Sequence, residues 1–193
     1  DESAMTRVPV AGDGSVADRV IFDLRASGTS FGNYTPVAVS TPNSPVEAFD
    51  AVGGEGAGIT WNLGMYRRGS DPQEVEYSEI TGRYGGAIGG CDSSAITSGW
   101  ENYRETPITL RTLGWLTNET YTVRVLAAIA DSSKVYRSAA QVYGNQASGV
   151  QIIDPFSNPG LIEFTGITPG AGGLIDIDLS KGVGANTSTF SLI

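Results

Sequence analysis

The feature that most constrains this chain is the alternation of apolar and polar residues from Pro107 to Ile193, run after run, each closed by a turn signal. Pro107-Ile-Thr-Leu-Arg-Thr-Leu113 alternates throughout, and Thr120-Tyr-Thr-Val-Arg-Val-Leu126 places Tyr121, Val123 and Val125 on one side. A period of two belongs to a strand with one buried face. Gly114 to Glu119, between them, is short and rich in turn formers, which predicts that these two strands are antiparallel neighbours. Further strands are expected over 135–143, 149–153, 161–167, 173–179 and 187–193, with stops at Gly144-Asn145, Asp154-Pro155 and Thr168-Pro169-Gly170. Proline cannot donate to a ladder and glycine reaches positive φ without strain, so these stops have a physical cause. No long helix fits between them.

Length and composition agree with an all-β reading. A chain of 193 residues buries a real core as one domain. Its 26 glycines and 9 prolines suit a sheet protein with many tight turns. Residues 1–18 are polar and are expected to form an extended N-terminal arm, with one domain over 19–193. The first strand is read at Arg19-Val-Ile-Phe-Asp-Leu24. Ala26 to Gly58, with Pro42, Pro45 and the Gly53-Gly-Glu-Gly-Ala-Gly58 run, reads as loops crossing between sheets.

Charge and residue types remove whole classes of function. A formal net charge of −9 repels a nucleic-acid backbone or an anionic membrane, and no apolar run reaches the ~18 residues of a membrane helix. One cysteine excludes an internal disulfide, and Cys91, in Gly-Gly-Cys-Asp-Ser-Ser, reads as a free thiol in a loop. The chain has no histidine, which excludes Ser-His-Asp triads, Cys–His pairs and histidine-ligated metals built from one chain. Enzyme chemistry is left to carboxylates, as in glycosidases. Asp176 and Asp178 stand two apart and share one strand face; they read first as a solvated face, then as a catalytic pair or a calcium site.

Aromatic and planar polar residues concentrate between Ile59 and Arg104. Sugar rings stack on flat aromatic rings while Asn and Arg bond their hydroxyls, so Trp61, Asn62, Tyr84, Trp100, Tyr103 and Arg104 form the candidate ligand-binding set. The competing reading for Trp61 and Trp100 is core filling. No catalytic residue is assigned.

Val20-Ile-Phe-Asp-Leu24, Trp61-Asn62, the Leu113 to Tyr121 turn into a long apolar strand that runs on to Asp131-Ser-Ser133, the Pro169-Gly-Ala-Gly-Gly-Leu174 turn, Gly173-Leu-Ile-Asp-Ile-Asp178 and a terminal hydrophobic strand together resemble the galactose-binding-like jelly-roll modules. The resemblance spans about residues 20–193. It implies a two-sheet antiparallel β-sandwich (jelly roll), non-catalytic, binding glycan through loops at one end, with no cofactor beyond a structural calcium in some members. The first expectation is therefore a recognition or adhesion module. It would sit on an extracellular, cell or virion surface, with glycan or neighbouring subunits as partners, neither nucleic acid nor membrane insertion, and a homo-oligomeric or larger assembly. The alternative is a structural component of a virus particle or other surface assembly, such as a decoration, fibre or tail protein. A two-carboxylate glycoside hydrolase comes third.

Overall fold

The alternation in Ile108-Thr-Leu-Arg-Thr-Leu113 becomes a strand whose odd and even residues face opposite ways, and the same logic organises the whole molecule. The structure is a computed structural model. It describes residues 8–9, 16–17, 20–25, 32–38, 46–51, 54–64, 99–102, 105, 107–129, 132–191 and 193. In chain order the strands are β1 (Val8–Pro9), β2 (Val16–Ala17), β3 (Phe22–Arg25), β4 (Thr35–Ala38), β5 (Val46–Phe49), β6 (Gly56–Gly64) and β7 (Trp100–Asn102). They continue with β8 (Ile108–Leu113), β9 (Tyr121–Ala127), β10 (Ser138–Tyr143), β11 (Gln151–Ile153), β12 (Gly160–Ile167), β13 (Ile175–Lys181) and β14 (Ser188–Phe190). No helix occurs among the described residues, so none is long and apolar enough to cross a membrane.

Six strands form one antiparallel sheet in the order β11-β10-β13-β8-β6-β5. Its inner face is apolar by alternation: Ile59, Trp61 and Leu63 from β6, Ile108 and Leu110 from β8, Ile175, Ile177 and Leu179 from β13 are all buried. These side chains join one core cluster with Phe22 and Leu24 of β3, Val125 of β9, Ile162 and Phe164 of β12, and Phe190 of β14. Burying a side chain of this size contributes roughly 1.5–3 kcal/mol.

Outside the large sheet, β9 pairs with β12, β7 with β14, and β3 with β4. The C-terminal residues stitch these pairs together: Phe22 N donates to Ile193 O (2.8 Å), Ile193 N returns a bond to Phe22 O (3.0 Å), and Ser191 N donates to Leu126 O (3.0 Å). The last residues thus fill the gap between β3 and β9.

Several expectations change. The strands at 108–113 and 121–127 are not neighbours: β8 lies between β6 and β13, whereas β9 pairs with β12. Alternation fixes which face of a strand is buried, not which strand lies beside it. Gly114, at φ 103°, takes the chain out of the large sheet, and a Cβ there would stand 2.6 Å from Gly58 O. Trp115 then packs edge-on against Tyr121 at 4.9 Å, and the Tyr121 hydroxyl accepts from Leu116 N (3.0 Å). Burial pushes the Tyr121 phenol above its usual range.

The region read as crossing loops holds strands β4, β5 and the start of β6, because tertiary pairing overrides its glycines and prolines. One pair departs from the expected antiparallel arrangement: β3 and β4 run parallel, Phe22 beside Thr35 and Arg25 beside Ala38. In the predicted N-terminal arm, Val8–Pro9 and Val16–Ala17 form a small antiparallel pair.

Candidate functional site

Alternation turns successive residues to opposite sides, so each apolar residue on the inner face of the large sheet has a neighbour on the other face, where Thr109 and Asp176 are themselves buried and Asn62, Arg111, Asp178, Gln141 and Tyr143 are half-buried. On β6, Trp61 turns inward, 2% exposed, and Asn62 turns outward, half-buried. The register then builds a row across four strands: Asn62 on β6 lies beside Arg111 on β8, Arg111 beside Asp176 on β13, and Asp176 beside Tyr143 on β10. A second row runs Gly64, Thr109, Asp178 and Gln141. Facing residues in such rows stand about 4.5–5.5 Å apart at Cβ, close enough for side chains to interlock.

They do interlock. Arg111 grips Asp176 with both ends of its guanidinium, Nε to Oδ1 at 3.0 Å and Nη2 to Oδ2 at 2.8 Å. This planar two-point pairing fixes both side chains and is stronger than a single neutral hydrogen bond. Thr109 Oγ1 donates to Asp178 Oδ1. Tyr143 Oη donates to Gln141 Oε1 (2.7 Å), two residues back on the same strand. Gln141 Nε2 reaches Ser148 O (2.8 Å) in the turn beyond β10. The result is a pre-arranged polar platform with one partly exposed aromatic ring, one guanidinium and two carboxylates.

The candidate set from sequence divides sharply on this frame. Trp100 is 1% exposed, set beside Phe190 of β14 in the core. Trp61 meets Phe22 edge-on at 6.0 Å. Neither indole presents a face to a sugar in this arrangement, which is the core-filling alternative for both. Asn62 joins the outer row. Tyr84, Tyr103 and Arg104 lie outside the described residues, as does Cys91.

Asp176 and Asp178 share a face, as expected for two residues on one strand, with Cα atoms about 6.7 Å apart. Each is committed to a partner within the sheet, Asp176 to Arg111 and Asp178 to Thr109. Among the described residues no group of three or more acidic or thiol side chains converges to hold a metal ion.

Arg111, Gln141, Tyr143 and Thr109 were missed as site residues by the reading of sequence. Their signal was present as strand alternation, since Thr109 and Arg111 occupy the polar phase of β8. What joins them is register across strands far apart in the chain. No protein-family model matches this sequence, and no curated protein matches it.

Proposed function

We propose that the chain is a non-catalytic recognition module, a two-sheet jelly-roll sandwich of the galactose-binding-like kind displayed on an extracellular, cell or virion surface. In this reading it binds glycan on the outer face of its six-stranded sheet. The observation that carries it is the row Asn62, Arg111, Asp176 and Tyr143, held in register on a face that is polar where the opposite face is apolar. Planar amide, guanidinium and carboxylate groups match the paired hydroxyls of a sugar, and the half-buried Tyr143 ring supplies an aromatic surface beside them. Two carboxylates against one guanidinium disfavour acidic sugars, so the ligand class is a neutral glycan. A sandwich is supported by the main core cluster, which the large sheet shares with β3, β9, β12 and β14.

Against a hydrolase built on Asp176 and Asp178 stands the engagement of both within the sheet. A general acid needs its carboxyl turned toward the leaving group, whereas Asp176 is gripped at both oxygens.

A glycan array covering neutral and acidic sugars tests the proposal. A specific hit among neutral glycans is expected, abolished by Tyr143→Ala while the melting temperature falls by only a few degrees. No hit, or a hit that Tyr143→Ala and Asn62→Ala both leave intact, overturns it. A second reading, a building block of a multi-subunit surface assembly, is favoured by one separate observation: among the described residues, β11 is an exposed, uncharged edge of the large sheet.

A further inference from the structure

The large sheet has two edge strands among the described residues, β5 and β11, and they are finished differently. An open edge offers backbone donors and acceptors to any passing strand, and proteins usually blunt it with charge, proline or a bulge. The β5 edge is blunted in two of these ways. Its register slips between Glu47 and Phe49, and the Glu47 carboxylate lies across the neighbouring strand, where Gly58 N donates to its Oε1 (3.4 Å).

The β11 edge has neither device. Its pairing with β10 is regular, Ser138 with Ile153, Ala139 with Ile152 and Ala140 with Gln151. No charged residue occurs from Ser138 to Ile153 in a chain of net charge −9. On β11 Ile152 is 55% exposed, and Val150, which immediately precedes the strand, is 58% exposed. Ile152 lies against Gly182, next to Val183, which is 73% exposed and held through its carbonyl by Arg137 (2.6 Å). On the inner side the strand is already committed: Gln151 Nε2 donates to Glu163 O (2.9 Å) and Ile153 packs on the core.

We infer that the β11 edge pairs with the β11 edge of a second copy of this chain, antiparallel across a two-fold axis at Gln151, joining two six-stranded sheets into one. The strand is self-complementary in that register. With Gln151 opposite its own copy, Val150 meets Ile152 of the second copy and Ile152 meets its Val150, so the exposed apolar residues cover one another twice. Asp154 falls opposite Ser148, which keeps like charges apart. Charge favours the same place, because Ser138 to Ile153 carries no acid and Asp154, the first beyond it, meets a serine. A three-residue strand is small beside the roughly 800 Å² per partner of a stable interface, so a single pair is weak and gains strength through repetition in an array.

The inference rests on the assembly reading and is independent of the glycan reading. Sedimentation of the full chain from roughly 10 μM to 1 mM spans the affinity expected of so small an interface. Wild type should move from one chain toward two across that range. Ile152→Lys, at an exposed position, should keep the melting temperature and raise the dissociation constant about tenfold or more. A wild-type chain that stays monomeric throughout overturns the assembly reading and this inference with it. Association that Ile152→Lys leaves unchanged overturns the β11 surface alone. The register has its own readout, in a Cys91→Ser background. Val150→Cys mixed with Ile152→Cys should cross-link through a short bifunctional thiol reagent faster than either variant alone. Equal rates, or no cross-link, would refute the proposed register.

Discussion

The two faces of the six-stranded sheet are made by the same strands, yet they hold different chemistry for different reasons. The inner face gains from removing apolar area from water, an effect that needs bulk and close packing but little directional precision. The outer face carries Asn62, Arg111, Asp176, Asp178, Gln141 and Tyr143, whose hydrogen bonds exchange partners with water and add little net stability. The difference teaches where to look for function. Trp61 and Asn62 are adjacent in sequence and both attracted a binding role, but Trp61 is buried in the core and Asn62 is half-buried on the opposite face.

The largest effect should come from the inner face. Trp61→Ala removes an indole that is 2% exposed and should lower unfolding free energy by about 3–5 kcal/mol in denaturant titration. A loss below about 1 kcal/mol, within the usual range for surface substitutions, would erase the contrast between the faces. Arg111→Ala comes next. It strips the two-point partner from Asp176, whose side chain is 13% exposed, while the Arg111 side chain is itself 37% exposed and partly screened. An intermediate loss of about 1–2 kcal/mol is expected, with Arg111→Lys recovering only part of it because an ammonium cannot bond both oxygens.

The smallest effect lies at the end of β11. Asp154 Oδ1 accepts from Ser157 N (2.9 Å) and Phe156 N (3.0 Å). The backbone bond from Ser157, aided by the Arg137 charge, holds its carboxyl below the usual carboxylate range. A folded pKa below the unfolded one means that the charged form contributes stability above the unfolded value, and that this contribution disappears as pH falls through the folded value. Asp154→Asn should therefore cost about a few tenths of a kcal/mol at neutral pH, for so exposed a group, and nothing once both pKa values are passed on the acid side. A difference that persists unchanged at low pH would assign the effect to shape instead of charge.

Strand positions in the C-terminal half were legible because alternation and turn residues are local signals. The strand expected over 161–167 is β12 at Gly160–Ile167, and the one over 173–179 is β13 at Ile175–Lys181. Strands β5 and β6 were less legible, since Gly56 and Gly58 carry no side chain to mark a face. The polar row was half legible. Asp176 and Asp178 were seen to share a face from their spacing alone, whereas Arg111 became their neighbour only because β8 lies beside β13, some sixty-five residues away along the chain.

By itself, the sequence determined that this chain is a β protein, where its later strands begin and stop, and which residue types are absent from its chemistry. Those properties follow from side-chain period, from the backbone limits of glycine and proline, and from composition. Tertiary structure alone decided that β8 and β9 part company, that Trp61 and Trp100 are core, that four strands bring Asn62, Arg111, Asp176 and Tyr143 into one row, and that β11 is an edge strand among the described residues. Each of these depends on strand order and register, which arise when many weak apolar contacts choose one packing together, and no single segment of the chain encodes that choice.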